Sequence, residues 1–208
     1  MKFLKLTLAI VTLCMSFNSA MAFDWETLKK KISSTVGGDA STVVDNILKT
    51  DNLDVKDLEG AWKSAGPSVS FKSENILEKA GGVAAATAIE NKLTPYYQKA
   101  GLENAIFTFS QKGELTITLK NGRTITGTVE KGVTEGTMVF TFGKLKNLGK
   151  ITAYVSKGTS LSIMFDASKL VKLVTAIADY SKNANLTSIS TMLKSYDGVY
   201  AGFKFNKQ

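Results

Sequence analysis

From Ala105 to the C-terminus, apolar and polar residues alternate in seven short runs: "AIFTFS", "ELTITLK", "RTITGTVE", "TMVFTF", "KITAYVS", "SLSIMF" and "VYAGFKF". A period of two sends successive side chains to opposite faces, so each run predicts a strand with one apolar and one polar side. Lys112-Gly113, Asn121-Gly122 and Lys157-Gly158 fall between runs and predict tight hairpins, because glycine reaches positive φ without a steric penalty. An eighth strand opens earlier, with Gly60 and Trp62 in "LEGAWKSAGP". Seven strands in sequence, one helical excursion and a closing strand are the parts of an antiparallel up-and-down barrel, which removes sheet edges by pairing the last strand with the first. The expected class is therefore mainly β, with a two-sheet sandwich as the alternative architecture.

Elsewhere the period lengthens to 3.6. Trp25, Leu28, Ile32 and Val36 fall on one helical stripe, with Asp24 as N-cap and Gly37-Gly38 as the stop. Val43, Val44, Ile47 and Leu48 make the buried side of a second short helix, and Asp51 to Asp57 form a polar linker. A long helical insertion is expected at about 73–100, after the first strand, with Pro95 and Gly101 kinking and ending it. Two more helices, broken near Asn183 to Asn185, are expected over 167–196 before the last strand, with Asp166 capping the first.

The first residues change the domain picture. Lys2 and Lys5 precede an apolar run through Phe17, and Ala20-Met21-Ala22 supplies small residues around a cleavage point. This predicts a signal peptide over 1–22, cleaved after Ala22, and a periplasmic or secreted protein. A lipoprotein signal at Cys14 is the alternative, but Leu13 is bulky where a small residue is needed. The mature chain then divides into an N-terminal helical segment, 23–57, and a barrel with its helical insertions, 58–208. No second apolar run reaches membrane-spanning length.

Composition excludes more than it selects. The chain has no histidine, and Cys14 is its only cysteine. The mature protein therefore lacks the usual general base, the strongest nucleophile and the commonest metal ligands, so neither an enzyme nor a cofactor is expected, and an enzyme using rim carboxylates is kept as a minor alternative. The net charge of +8 falls to +6 when Lys2 and Lys5 leave with the signal, and the remaining charge is spread along the sequence. With Arg123 as the sole arginine, no concentrated phosphate-binding face is expected, which argues against nucleic acid. Asp51, Asp54 and Asp57 are spaced by three, yet they lack the glycine and distal glutamate of a calcium loop and read as linker caps.

The Gly60-x-Trp62 triplet in "LEGAWK" resembles the signature of lipocalins. The longer run "LEGAWKSAGPSVSFKSENILEKAGGVAAATAIENKLTPYYQKAG", with "FDASKL" and "SYDGVYAGFKF", resembles a lipocalin-like family of secreted Bacteroidetes-type proteins. The resemblance implies a calycin-like barrel in which Trp62 packs across a closed end. It names no ligand. Lipocalins often set an arginine from the last strand over that tryptophan, and here the closing segment offers only Lys204 and Lys207.

With the alternation fixed, the candidate ligand-binding interior comprises Trp62, Phe107, Phe109, Leu115, Ile117, Leu119, Ile125, Met138, Phe140, Phe142, Ile163, Phe165, Phe203 and Phe205, joined on the same face by Val129, Ile151, Val155 and Leu161. None of these can ionise. One reading is a calyx for a hydrophobic small molecule or lipid; the other is a filled core, with an envelope protein or a glycan bound on the exterior. Tyr96, Tyr97, Tyr196 and Tyr200 could rim a mouth or pack ordinarily.

Overall fold

Every strand predicted by the alternation forms, and all eight join in one closed antiparallel sheet. The computed structural model describes residues 48–72, 83–145, 148–181 and 198–208. The expected leader, the helices expected from Asp24 and Val43, the helix expected after Asn185 and Tyr196 all lie outside the described residues. The strands are β1 (Gly60–Phe71), β2 (Ile106–Phe109), β3 (Glu114–Thr118), β4 (Thr124–Lys131), β5 (Thr137–Phe142), β6 (Lys150–Lys157), β7 (Leu161–Asp166) and β8 (Val199–Lys207). Each pairs with the next, and β8 returns to pair with β1, from Trp62↔Lys207 to Phe71↔Val199. That closing pair decides against two separate sheets.

The hairpin glycines are only partly as expected. Gly113 and Gly122 sit at φ +83° and +79°, which an L side chain rarely adopts. Gly158 lies in open space without a positive φ, so the β6–β7 turn does not depend on glycine there.

β1 is longer than its opening residues suggest. It pairs with β2 only from Gly60 to Lys63, then shifts register between Ser64 and Gly66 and continues along β8 to Phe71. Beyond Lys63 the other edge of β1 has no strand beside it. Pro67 is tolerated there because a proline nitrogen facing an unpaired edge forfeits no ladder bond. The edge is covered instead by helix α1 (Val83–Ala100), the described part of the long insertion. The Glu90 carboxylate of α1 accepts a hydrogen bond from Val69 N at 2.9 Å, supplying the edge with a partner that no strand provides.

Helix α1 runs through Pro95, and the Thr94 hydroxyl donates to Glu90 O one turn back. It stops at Gly101, where Leu102 N donates to Tyr97 O and Gly101 N to Gln98 O, the paired bonds of a Schellman end. Helix α2 (Ala167–Ser181) starts directly after β7, and Asp166 Oδ1 accepts from both Ser168 N (2.9 Å) and Ser168 Oγ (2.6 Å), the cap expected of it. The far end of α2 is tied to the β3–β4 turn by the lone arginine. Arg123 donates to Tyr180 O, and the Tyr180 hydroxyl donates to Thr124 O.

At Gly202 on β8 the backbone of β7 stands too close for a side chain. A Cβ there would lie 1.9 Å from Ile163 O and 2.9 Å from Met164 Cα, so any side chain must push β7 and β8 apart. Gly202→Ala is expected to lower stability by about 1–3 kcal/mol, the cost of overpacking where the obstruction cannot rotate away. A urea midpoint equal to that of the unchanged protein would refute this reading of the β7–β8 contact.

Candidate functional site

The inward face of the barrel is built by register. Trp62↔Phe107↔Ile117↔Ile125 crosses β1 to β4, and Met138↔Ala153↔Phe165↔Ala201 crosses β5 to β8. Paired residues in antiparallel strands share a face, so these rows line the inside. All fourteen candidate interior residues are buried, the most accessible being Phe142 at 7 %. The period of two therefore identified the inward face correctly.

Their rings touch one another. Phe203 lies 5.0 Å from Tyr97, 5.3 Å from Phe107, 5.7 Å from Phe205 and 6.4 Å from Phe165, measured between ring centres. Phe140 continues the chain to Phe165 at 5.8 Å and to Phe142 at 6.4 Å. These separations fall in the range where aromatic pairs attract.

Tyr97 was expected only at a rim or in ordinary packing. It is fully buried, its ring on Phe203 and its hydroxyl donating to Gly202 O at 2.6 Å. Burial, together with the nearby Glu90 carboxylate, pushes its pKa well above the usual tyrosine value. Glu90 is also raised, first because burial disfavours its charge; the bond from Val69 N and the charge of Lys204 oppose that shift. Folding thus favours protonated Glu90, and what this group contributes to stability is fullest below its unfolded value and declines as pH rises through its folded value.

Trp62 occupies the end of the barrel where β1 begins. Its indole is 2 % exposed, and Nε1 donates to Leu58 O at 2.8 Å. Leu58 ends a short 3₁₀ helix (Val55–Leu58), which Asp54 and Asp57 cap reciprocally, Asp54 accepting from Val55 N and Asp57 from Asp54 N. Asp51 accepts from Lys157 N at 2.6 Å. The three aspartates spaced by three are thus occupied in holding the chain that enters β1. Gly60 takes φ +119°, the glycine-dependent entry that precedes the tryptophan.

Two ammonium groups lie over the indole, Lys157 Nζ at 5.7 Å and Lys207 Nζ at 6.0 Å from the ring centre. Lys207, one of the two lysines that the closing segment offers, is the one that lies over the tryptophan ring. Lys157, on β6, was not anticipated. It is also bonded through Nζ to Asp57 O, which ties the closed end together across the barrel.

One polar group interrupts the apolar interior. Ser64, paired with Phe205 and on the same face as Trp62, is 2 % exposed, and its hydroxyl is the buried side-chain atom without a hydrogen-bond partner among the described residues. Burying a hydroxyl unpaired costs about 1–3 kcal/mol. Ser64→Ala should therefore match or exceed the original stability, by up to about 1 kcal/mol in urea unfolding. A clear loss of stability would mean that the hydroxyl has a protein partner. A serine inside an alternating strand carries no special signal, and sequence reading passed it over.

No described helix is long and apolar enough to cross a membrane. Residues 16–207 match the family model described as "Lipocalin-like domain (DUF4923)". No curated protein matches the chain. The chain belongs to this lipocalin-like domain family.

Proposed function

Starting from a member of the lipocalin-like domain family, we propose that the chain is exported, loses residues 1–22, and binds a hydrophobic small molecule or lipid within its barrel. The observation that carries this reading is the inward face itself: among the described residues it is uncharged and apolar, with the Ser64 hydroxyl as its single unpaired polar group, near the end where Trp62 is buried. Pockets for small molecules commonly combine an apolar wall with a few polar groups that fix orientation. The ligand's polar end then bonds Ser64 and its apolar body runs along Phe107, Phe203 and Ile163. Binding rather than catalysis fits a sequence without histidine.

A second reading rests on the continuous ring network, which favours a filled core and leaves binding to the exterior. Native mass spectrometry of the protein purified from its own host distinguishes the two. A mature chain beginning at Phe23 and carrying a discrete, solvent-extractable apolar adduct supports the interior site. A bare chain mass, in protein that also fails to take up added palmitate, supports the filled core.

A further inference from the structure

The outer face of β1, β8, β7 and β6 holds a groove of about 340 Å³ whose chemistry is the opposite of the interior's. Its walls are hydroxyls, Ser68 and Ser70 from β1, Ser156 from β6 and Ser162 from β7, and its cations are Lys49 and Lys204. Met164 contributes the main apolar patch. Register explains why the groove is there. Lys204, Ser162 and Ser156 are direct cross-strand neighbours, which puts their polar groups in one row. In the adjacent row Gly202 stands between Ser68 and Met164.

Among the described residues the lining contains no carboxylate. Glu90 acts on Lys204 from outside the groove. None of the four serine hydroxyls bonds another protein group among the described residues, so each offers a donor and acceptor lone pairs to a ligand. The volume lies in the range of sites for organic molecules, well beyond what one small inorganic anion fills. The Lys204 ammonium selects negative charge, and an array of hydroxyls selects a hydroxylated body.

From this combination we propose that the groove binds a short acidic saccharide, its carboxylate on Lys204 and its ring hydroxyls on the serine row. The proposal does not depend on any ligand inside the barrel.

Calorimetric titration of the purified protein with a hexuronic-acid disaccharide, the matching neutral disaccharide and inorganic phosphate tests it. The acidic disaccharide should bind at least about tenfold more tightly than either of the others, since a charge-assisted hydrogen bond contributes roughly that factor. Its affinity should fall with added salt. Lys204→Gln and Ser162→Val should each weaken it about tenfold, while Lys63→Gln, an exposed lysine outside the groove, changes nothing. Thermal melts showing Lys204→Gln folded as before make its loss of affinity a statement about the groove. Four outcomes would each overturn the proposal: no binding, equal binding of the acidic and neutral disaccharides, phosphate binding as tightly as the acidic disaccharide, or full affinity in Lys204→Gln.

Discussion

Trp62→Ala is expected to lower the stability of the barrel by about 3–5 kcal/mol, the range for truncating a large buried aromatic and leaving a cavity. The indole is 2 % exposed, its nitrogen is bonded to Leu58 O, and two ammonium groups lie over its ring. Removing it also leaves Leu58 O without its donor and Lys157 and Lys207 without the ring that holds them. A loss of this size is a large share of a typical domain's stability. Lys63→Ala, at the next residue and pointing outward, should move the urea midpoint little. Since Trp25 and Trp62 are the two tryptophans, Trp25→Phe isolates the emission of Trp62. Blue-shifted emission shielded from iodide is expected; red-shifted, easily quenched emission would show an open end.

Phe203→Ala should be comparably severe, at about 3–5 kcal/mol. Phe203 meets Tyr97, Phe107, Phe165 and Phe205, so it joins the rings of β2, β7 and β8 to the helix α1 that covers the edge of β1. Truncating it leaves four rings each with a missing neighbour, and the rigid sheet around them can close little of the void. The adjacent Lys204→Gln should leave the melting temperature unchanged, because the period of two puts it on the outer face. A small effect at Phe203, below about 1 kcal/mol, would mean that the interior is loosely packed and collapses around the deletion.

The strands were legible because their signal is local. Apolar residues two apart, broken by glycine turns, specify both the strand and its inward face, and Phe107, Ile117, Phe140 and Phe203 all lie where that pattern puts them. Closure was legible only as topology, since no residue of β8 announces β1 as its partner. The contacts that finish the barrel were not legible. Tyr97 bonds Gly202 across 105 residues, and Lys157 reaches Asp57 across 100. Neither pair has a spacing that a sequence motif could carry. The first strand read from Leu58 to Pro67 does include Gly66 and Pro67, and the absence of β2 beside them makes them acceptable there. Ser64 and the serines of the outer groove occupy ordinary strand positions, and only the register reveals which of them face the same space.

The central claim, that the inward face of the barrel is the binding site, is tested most directly by methyl-labelled NMR of the mature protein titrated with palmitate. The account predicts intermolecular nuclear Overhauser contacts from the palmitate chain to the methyls of Ile117, Leu161 and Ile163, which lie on the inward face of β3 and β7. Contacts confined to outward methyls such as Val139, or none at ligand excess, would contradict it and establish the barrel as a filled scaffold.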